Sequence, residues 1–333
     1  MRIAVVGAGS WGTALAVQLC RGGDDVWMWD HRADRAAEMD AARENRRYLP
    51  GVALPSNLRV TGDLARALDG AEVVMEVVPS AAVRAVMAEA GPHIAAGAVV
   101  CCATKGIEEP SLLTMEEVLR EVLPERLHGG IVALAGPSFA KELAMGLPTA
   151  VVVAARSAEA GERVARALHG GALRVYHTDD VIGAELGGAL KNVVAIACGV
   201  ADGAGLGFNA RAALITRGLA EITRLAVHKG GHPLTLAGLA GMGDLVLTAT
   251  GDLSRNRRVG LALGRGRTLP EILAELGQVA EGVGTARSAH HLAVREGVDM
   301  PITAEIYRML YEDKPVDAAL RDLMGRGRRA ERG

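Results

Sequence analysis

The stretch VVGAGSWGTALA (residues 5–16) decides how this chain folds. Gly7, Gly9 and Gly12 stand in G-x-G-x-x-G spacing, directly after the β-branched run IAVV (3–6) and at the start of an apolar segment of helical period. Each glycine has a physical task. Gly7 permits a tight turn, Gly9 lets the backbone approach a pyrophosphate, and Gly12 lets helix and strand pack closely. The helix start then offers unpaired N–H groups and a partial positive charge to phosphates. Ser10 and Trp11 fill the variable positions of this cradle, and Trp11 reads equally as a pyrophosphate contact or as a packing residue.

Working outward, short strand-like runs alternate with helical patterns: DVWMW (25–29), EVVMEVV (72–78), AVVCCA (98–103), IVALA (131–135), TAVVVAA (149–155) and LRVY (173–176). Such alternation predicts an α/β fold: an N-terminal doubly wound, Rossmann-like, mostly parallel sheet domain over residues 1–180. Beyond it the strand signals stop. Long amphipathic stretches, Val181 to Ala201 and Asn209 to Lys229 first among them, predict an all-helical C-terminal domain over residues 181–325. Residues 326–333 read as a flexible basic tail.

At 333 residues and 50% hydrophobic content, the chain has material for two real cores. A net charge of −2 argues against a nucleic-acid partner and against an anionic membrane surface. The first residues read as a strand rather than a signal peptide, and no uninterrupted apolar run approaches the ~18 residues of a membrane span. Cys20, Cys101, Cys102 and Cys198 lie in apolar segments without metal-ligand spacing, so buried thiols in a reducing cytoplasm, no disulfide and no metal are expected. The chain has 32 arginines and five lysines. Each lysine is therefore a candidate for chemistry that a guanidinium, which does not release its proton, cannot perform.

In open parallel sheets ligands sit beyond the carboxyl ends of the strands. The turns VPSAA, ATKGIE and AGPSFAKE, taken to follow the third, fourth and fifth strands, belong there. Lys105 then projects toward the cofactor crevice, and Gly136, Pro137 and Ser138 form a turn whose amides and hydroxyl suit a substrate oxygen. In AELGGALKNVVAIA (184–197), Lys191 shares a helix face with Ala184, Gly187, Gly188, Val194 and Ala195. Two glycines inside a helix cost about 1 kcal/mol each relative to alanine, which close packing or ligand room must offset. A lysine on such a face is desolvated, so its pKa falls toward neutrality and it can both give and take a proton. Ser254 reads as the N-cap of a helix whose first turn holds Arg255, Asn256, Arg257 and Arg258. Cations there are unfavourable unless an anionic ligand joins them; the bland reading, an exposed arginine-rich turn, applies best to Arg257 and Arg258.

These motifs resemble one family, the bacterial-type NAD(P)-dependent glycerol-3-phosphate dehydrogenases. The matching stretches are GAGSWGTALA, ATKGIE, AGPSFAKE, LGGALKNVVAIACGVADGAGLGFNARAALITRGLAE, GMGDLVLTATGDLSRNRRVG and VAEGVGTA, which run in order from residue 7 to 286. The resemblance implies reversible reduction of dihydroxyacetone phosphate to sn-glycerol 3-phosphate for glycerophospholipid synthesis. It implies Lys191 as proton donor and acceptor, with substrate bound by Lys105, Gly136, Ser138, Lys191, Asp244, Ser254, Arg255 and Asn256. By the same carry-over Gly7, Gly9, Ser10, Trp11, Gly12, His31, Arg32, Lys105, Ala140, Arg255, Val279 and Glu281 line the site of NADPH or NADH, NADP being slightly preferred. Asp244 suits either a substrate hydroxyl or the role of holding Lys191 charged. The alternatives are another small hydroxyacid or hydroxymethyl dehydrogenase of this two-domain build, or a non-catalytic dinucleotide sensor. A homodimer is expected from the apolar helices of the second half.

WMWDHRADR (27–35) gives two opposed signals about the cofactor. Asp30 suits the free ribose 2′-hydroxyl of NAD, whereas Arg32 suits the 2′-phosphate of NADP. The family resemblance implies a small residue at position 30, so Asp30 is a departure; it is expected to pair with Arg32 or Arg35 and to temper the NADP preference without abolishing it, with Arg32 reading the 2′-phosphate.

Overall fold

The structure, a computed structural model, describes residues 1–276, 279–328 and 330. Among them one sheet of eight strands runs in the order β3 (Leu58–Thr61), β2 (Asp25–Trp29), β1 (Arg2–Val6), β4 (Val73–Glu76), β5 (Val99–Cys102), β6 (Ile131–Ala135), β7 (Thr149–Ala155) and β8 (Leu173–Thr178). All pairings are parallel except β6 with β7. β4, β5 and β6 are buried along their whole length, as expected of strands covered on both faces. One strand was not foreseen. β3 is a four-residue strand at the sheet edge in which exposed Arg59 interrupts the apolar run, too short and too polar to stand out from a loop. The turns VPSAA, ATKGIE and AGPSFAKE accordingly follow the fourth, fifth and sixth strands.

The register sets the site. Val6 lies opposite Trp29 on one side and Glu76 on the other, so the segments starting at Gly7, Asp30 and Val77 leave the sheet together at its carboxyl edge. Helices α1 (Ser10–Arg21), α2 (Ala33–Ala42), α3 (Leu64–Leu68), α4 (Val83–Ala90), α5 (Met115–Val122), α6 (Ala140–Ala144) and α7 (Ala158–Leu168) belong to this first half. Two apolar clusters form on the two faces of the sheet, one built on Leu15, Met28 and Val132, the other on Leu68, Met87 and Val100.

From Val181 onward the described residues are helical: α8 (Val181–Gly203), α9 (Gly207–His228), α10 (Pro233–Ala237), a π-helical turn (Leu239–Gly243), α11 (Asp244–Thr250), α12 (Arg255–Gly264), α13 (Leu269–Leu276), α14 (Glu281–Glu296), α15 (Pro301–Tyr311) and α16 (Val316–Met324). α8 has the length and mean hydropathy (1.5) of a membrane span, but 89% of its apolar window is buried inside the protein, so it is a core helix. It meets α12 backbone to backbone. A Cβ at Gly199 would lie 2.2 Å from the Arg257 carbonyl oxygen, and at Gly203 2.3 Å from that of Leu261. From the α12 side, a Cβ at Gly260 would lie 2.0 Å from the Ile196 carbonyl oxygen, and at Gly264 2.3 Å from that of Val200. Four glycines in two pairs, each spaced four residues apart, therefore form a seam with no room for side chains.

All four cysteines are buried as free thiols. Of the basic tail, Arg326 pairs with Asp299 at 2.7 Å, while residues 329 and 331–333 lie outside the described residues.

Candidate active site

At the cradle, Gly7 has a positive φ of 120° and a Cβ there would lie 2.6 Å from the Val77 carbonyl oxygen. A Cβ on Gly12 would lie 1.9 Å from the Gly7 carbonyl oxygen, so close helix–strand packing requires that glycine. Gly9 differs, because nothing stands within 4 Å of its Cβ position. It is the N-cap of α1, without a side-chain cap and with no acidic residue in the first turn. Open space before uncapped N–H groups fits a pyrophosphate, which is the test the cradle had to pass for a dinucleotide. The Ser10 hydroxyl donates to the Tyr48 carbonyl at 2.6 Å, and Trp11 packs against the apolar cluster on its side of the sheet. Both side chains thus have structural duties at the rim.

The second half of the site is built around α8. Lys191 is buried, and its ammonium donates to Asp244 Oδ1 and, at 2.9 Å, to Thr248 Oγ1. Lys105, three residues beyond β5, reaches the other oxygen, Asp244 Oδ2, at 2.6 Å, and the Gly136 carbonyl at 3.3 Å. Asp244 is fully buried where the π-helical turn runs directly into α11. One carboxylate therefore bridges two lysines and holds Lys191 and Lys105 together. Burial pulls the Lys191 pKa down to about 7; Asp244 opposes the fall and the charge of Lys105 adds to it. At neutral pH such a group both gives and takes a proton.

The two glycines preceding Lys191 divide the work. A Cβ at Gly187 would lie 2.7 Å from the Ala240 carbonyl oxygen, so Gly187 admits the π-helical turn that delivers Asp244. A Cβ at Gly188 would lie 3.4 Å from Lys105 Cγ, an ordinary contact, so the stem of the second lysine passes directly over that position. Close packing offsets the cost at Gly187.

Gly136 has a positive φ of 107°, and its carbonyl also accepts from Ser138 Oγ at 3.0 Å. Ser254 caps α12, its hydroxyl accepting from the Arg257 amide at 3.2 Å. Arg255 is exposed as a residue and makes no hydrogen bond or ion pair among the described residues; burial around its guanidinium lowers its pKa, and the nearby Glu281 carboxylate opposes the fall. Glu281 accepts from Ser80 Oγ at 2.7 Å across the two halves of the chain, and burial raises its pKa. Ala140 opens α6 and packs on the sheet, Val279 is exposed, and so are His31 and Arg32.

Asn256, expected to bind substrate, is buried, donating to Asn192 Oδ1 at 2.8 Å and accepting from the Gly282 amide at 3.0 Å, so it also ties α12 to α8 and α14. One expectation changes. Arg257 is no exposed turn residue, because its largely buried guanidinium pairs with Asp202 at 2.7 Å and Asp252 at 2.9 Å. Thr248 and Ser80 were not singled out as site residues. Thr248, four residues from Asp244 on one helix, carried a usable signal; Ser80 carried only its place in VPSAA.

Comparison with known proteins agrees with this geometry. Family models described as NAD-dependent glycerol-3-phosphate dehydrogenase N-terminus and C-terminus match residues 2–161 and 180–321. The chain is 56% identical over 331 residues to glycerol-3-phosphate dehydrogenase [NAD(P)+] of Anaeromyxobacter sp. (strain K), covering 99% of this chain and 100% of that one. It is 52% identical to the enzyme of the same name from Geobacter sp. (strain M21), covering 99% and 98%. The crystal structure of glycerol-3-phosphate dehydrogenase from Coxiella burnetii superposes with a TM-score of 0.93 at 43% identity, covering 98% and 99%. With a glycine cradle open to a dinucleotide and a carboxylate-bridged lysine pair beyond the strand ends, the chain belongs to the NAD-dependent glycerol-3-phosphate dehydrogenase family.

Proposed function

We propose that the protein reduces dihydroxyacetone phosphate to sn-glycerol 3-phosphate, reversibly, with Lys191 as general acid and base. The observation that carries this reading is the buried Lys191–Asp244–Lys105 bridge. Gly7, Gly9 and Gly12 would hold a reduced dinucleotide, whose chemistry would be to supply the hydride that the ketone carbon takes up. As the carbonyl oxygen gains charge, the Lys191 ammonium gives it a proton, and Lys105 stabilises the developing negative charge. In the reverse direction the neutral amine of Lys191 takes the proton from the alcohol. Asp244 keeps both nitrogens aimed, and Thr248 fixes Lys191 from the other side.

The start of α12 suits the substrate phosphate: an Arg255 without an ion-pair partner among the described residues, the hydroxyl of Ser254, and the one amide hydrogen of Asn256 that its links leave over. Gly136 and Ser138 suit the glycerol hydroxyls. Binding the phosphate there positions a three-carbon substrate for transfer. Supply of glycerophospholipid synthesis and a cytoplasmic location follow from this reading. A homodimer remains our expectation on the strength of the apolar second half, and light scattering tests it.

Lys191→Met tests the proposal. Oxidation of NADPH or NADH with dihydroxyacetone phosphate should fall by about 10²- to 10⁴-fold, with cofactor binding retained. Wild-type turnover in that variant sinks the assignment. A wild-type protein that binds cofactor tightly and turns over neither NADH nor NADPH favours a sensor instead.

A further inference from the structure

The end of β2 holds an arrangement that neither the cradle nor the lysine bridge explains. Asp30 is 1% exposed, and its backbone N–H donates to the Thr61 carbonyl of β3 at 3.1 Å. Arg35 takes both of its carboxylate oxygens, Nε to Oδ2 at 2.7 Å and Nη2 to Oδ1 at 2.5 Å. Oδ1 accepts a second time, from the Arg32 amide at 2.9 Å. Arg35 is itself held: its guanidinium carbon stands 5.2 Å from the centre of the Tyr48 ring, and Nη1 donates to the Tyr48 hydroxyl at 3.3 Å. Tyr48 in turn receives the Ser10 hydroxyl of the cradle on its carbonyl. The side chain of Arg32, by contrast, is 56% exposed and, among the described residues, pairs with Asp34 alone.

We infer that Arg35 sets the choice of dinucleotide, by locking Asp30 away from the adenosine ribose and leaving Arg32 to bind a 2′-phosphate. This rests on the reading of the β2 end as the seat of the adenosine ribose. A carboxylate that reads an unphosphorylated ribose must accept from its hydroxyls. Here three of the four lone-pair positions on Asp30 are taken, and the oxygens are out of solvent. A bare carboxylate at this place would also repel a phosphate dianion; paired two-point with a guanidinium, it does not. Arg32 needs only to exchange an exposed partner, Asp34, for the phosphate, and exposed pairs in water are weak. The contradictory signals of the sequence thus resolve into a division of labour: Arg35 silences Asp30, and Arg32 reads.

The test is calorimetric binding of adenosine 2′,5′-bisphosphate and of AMP to the full chain, which needs no turnover. The wild type should prefer the bisphosphate by about 10-fold or more, and Arg35→Met should cut that preference by about 10-fold, as expected for a freed like charge. Asp30→Asn combined with Arg35→Met should restore most of it. Arg35→Lys, which keeps the charge but not the fork, should fall between, and this arm decides if the methionine variant does not fold. A wild-type preference for AMP overturns the inference, and so does an unchanged preference in Arg35→Met. A double variant no better than the single overturns it too, because Arg35 would then hold the phosphate itself. If the wild type binds neither nucleotide, the placement of the dinucleotide at the cradle falls as well.

Discussion

Asp244→Asn keeps the shape of the bridging side chain and removes its charge. The carboxylate stands 2.6 Å from Lys105 and bonds Lys191 through its other oxygen, so the change leaves two cations without their common anion. At an effective dielectric of about 20, a unit charge pair about 4 Å apart interacts by about 4 kcal/mol, or about 3 pKa units. Relaxation and water recover part of this, so the Lys191 pKa should fall by about 2–3 units from its value of about 7. At pH 7 the ammonium fraction then drops from about one half to between ~1% and ~0.1%, and ketone reduction slows by ~50- to 500-fold. The loss should shrink toward acid pH, where the ammonium returns. The assay is kcat/KM for NADPH oxidation with dihydroxyacetone phosphate from about pH 5 to 9, alongside a melting curve to confirm folding. A variant that keeps the wild-type midpoint, or loses the same factor at every pH, refutes the claim that Asp244 sets the acid.

In the wild type, the lowered pKa fixes the sign of the pH response: reduction needs the ammonium and declines as pH rises through about 7, whereas alcohol oxidation needs the neutral amine and increases over the same range, both read at 340 nm. The glycines of the cradle should separate binding from folding. Gly9→Ala meets open space and should leave the melting temperature in place while weakening cofactor binding about 10-fold or more, whereas Gly12→Ala drives a Cβ into the Gly7 carbonyl and should cost about 3 kcal/mol or more in denaturant unfolding. Asn256→Ala leaves Asn192 and the Gly282 amide without a buried partner, and should lower stability by about 1–3 kcal/mol in the same measurement.

The parts of the site that follow from local spacing were legible in the sequence. The G-x-G-x-x-G turn, the small-residue face around Lys191 and the cap at Ser254 each span one element, and each stands where the spacing placed it. What depends on long-range partners was not. That Asp244 bridges two lysines, 139 and 53 residues away in sequence, follows from a π-helical turn packed on Gly187, and no local pattern announces such a contact. Asn256 reads as a ligand group because it sits at a helix start; that it also ties helices together, through Asn192 64 residues earlier, has no local signal. β3 escaped because an edge strand of four residues with an outward Arg59 has too little apolar periodicity to read. At Asp30 the sequence offered Arg32 and Arg35 equally; the turn after β2 directs the side chain of Arg32 outward, and the first turn of α2 brings Arg35 back onto Asp30.

The glycine seam between α8 and α12 makes the active site a fixed gauge. Lys191 lies on one helix and the turn at Ser254 and Arg255 begins the other, so their separation is set by main chain touching main chain. Side-chain interfaces can be retuned by a methyl group at a time; this one cannot, because the smallest addition at Gly199, Gly203, Gly260 or Gly264 already collides with a carbonyl. Selection for a longer or shorter spacing between Lys191 and the start of α12 would have to act through the loops around the seam, since that distance is held by the backbone itself.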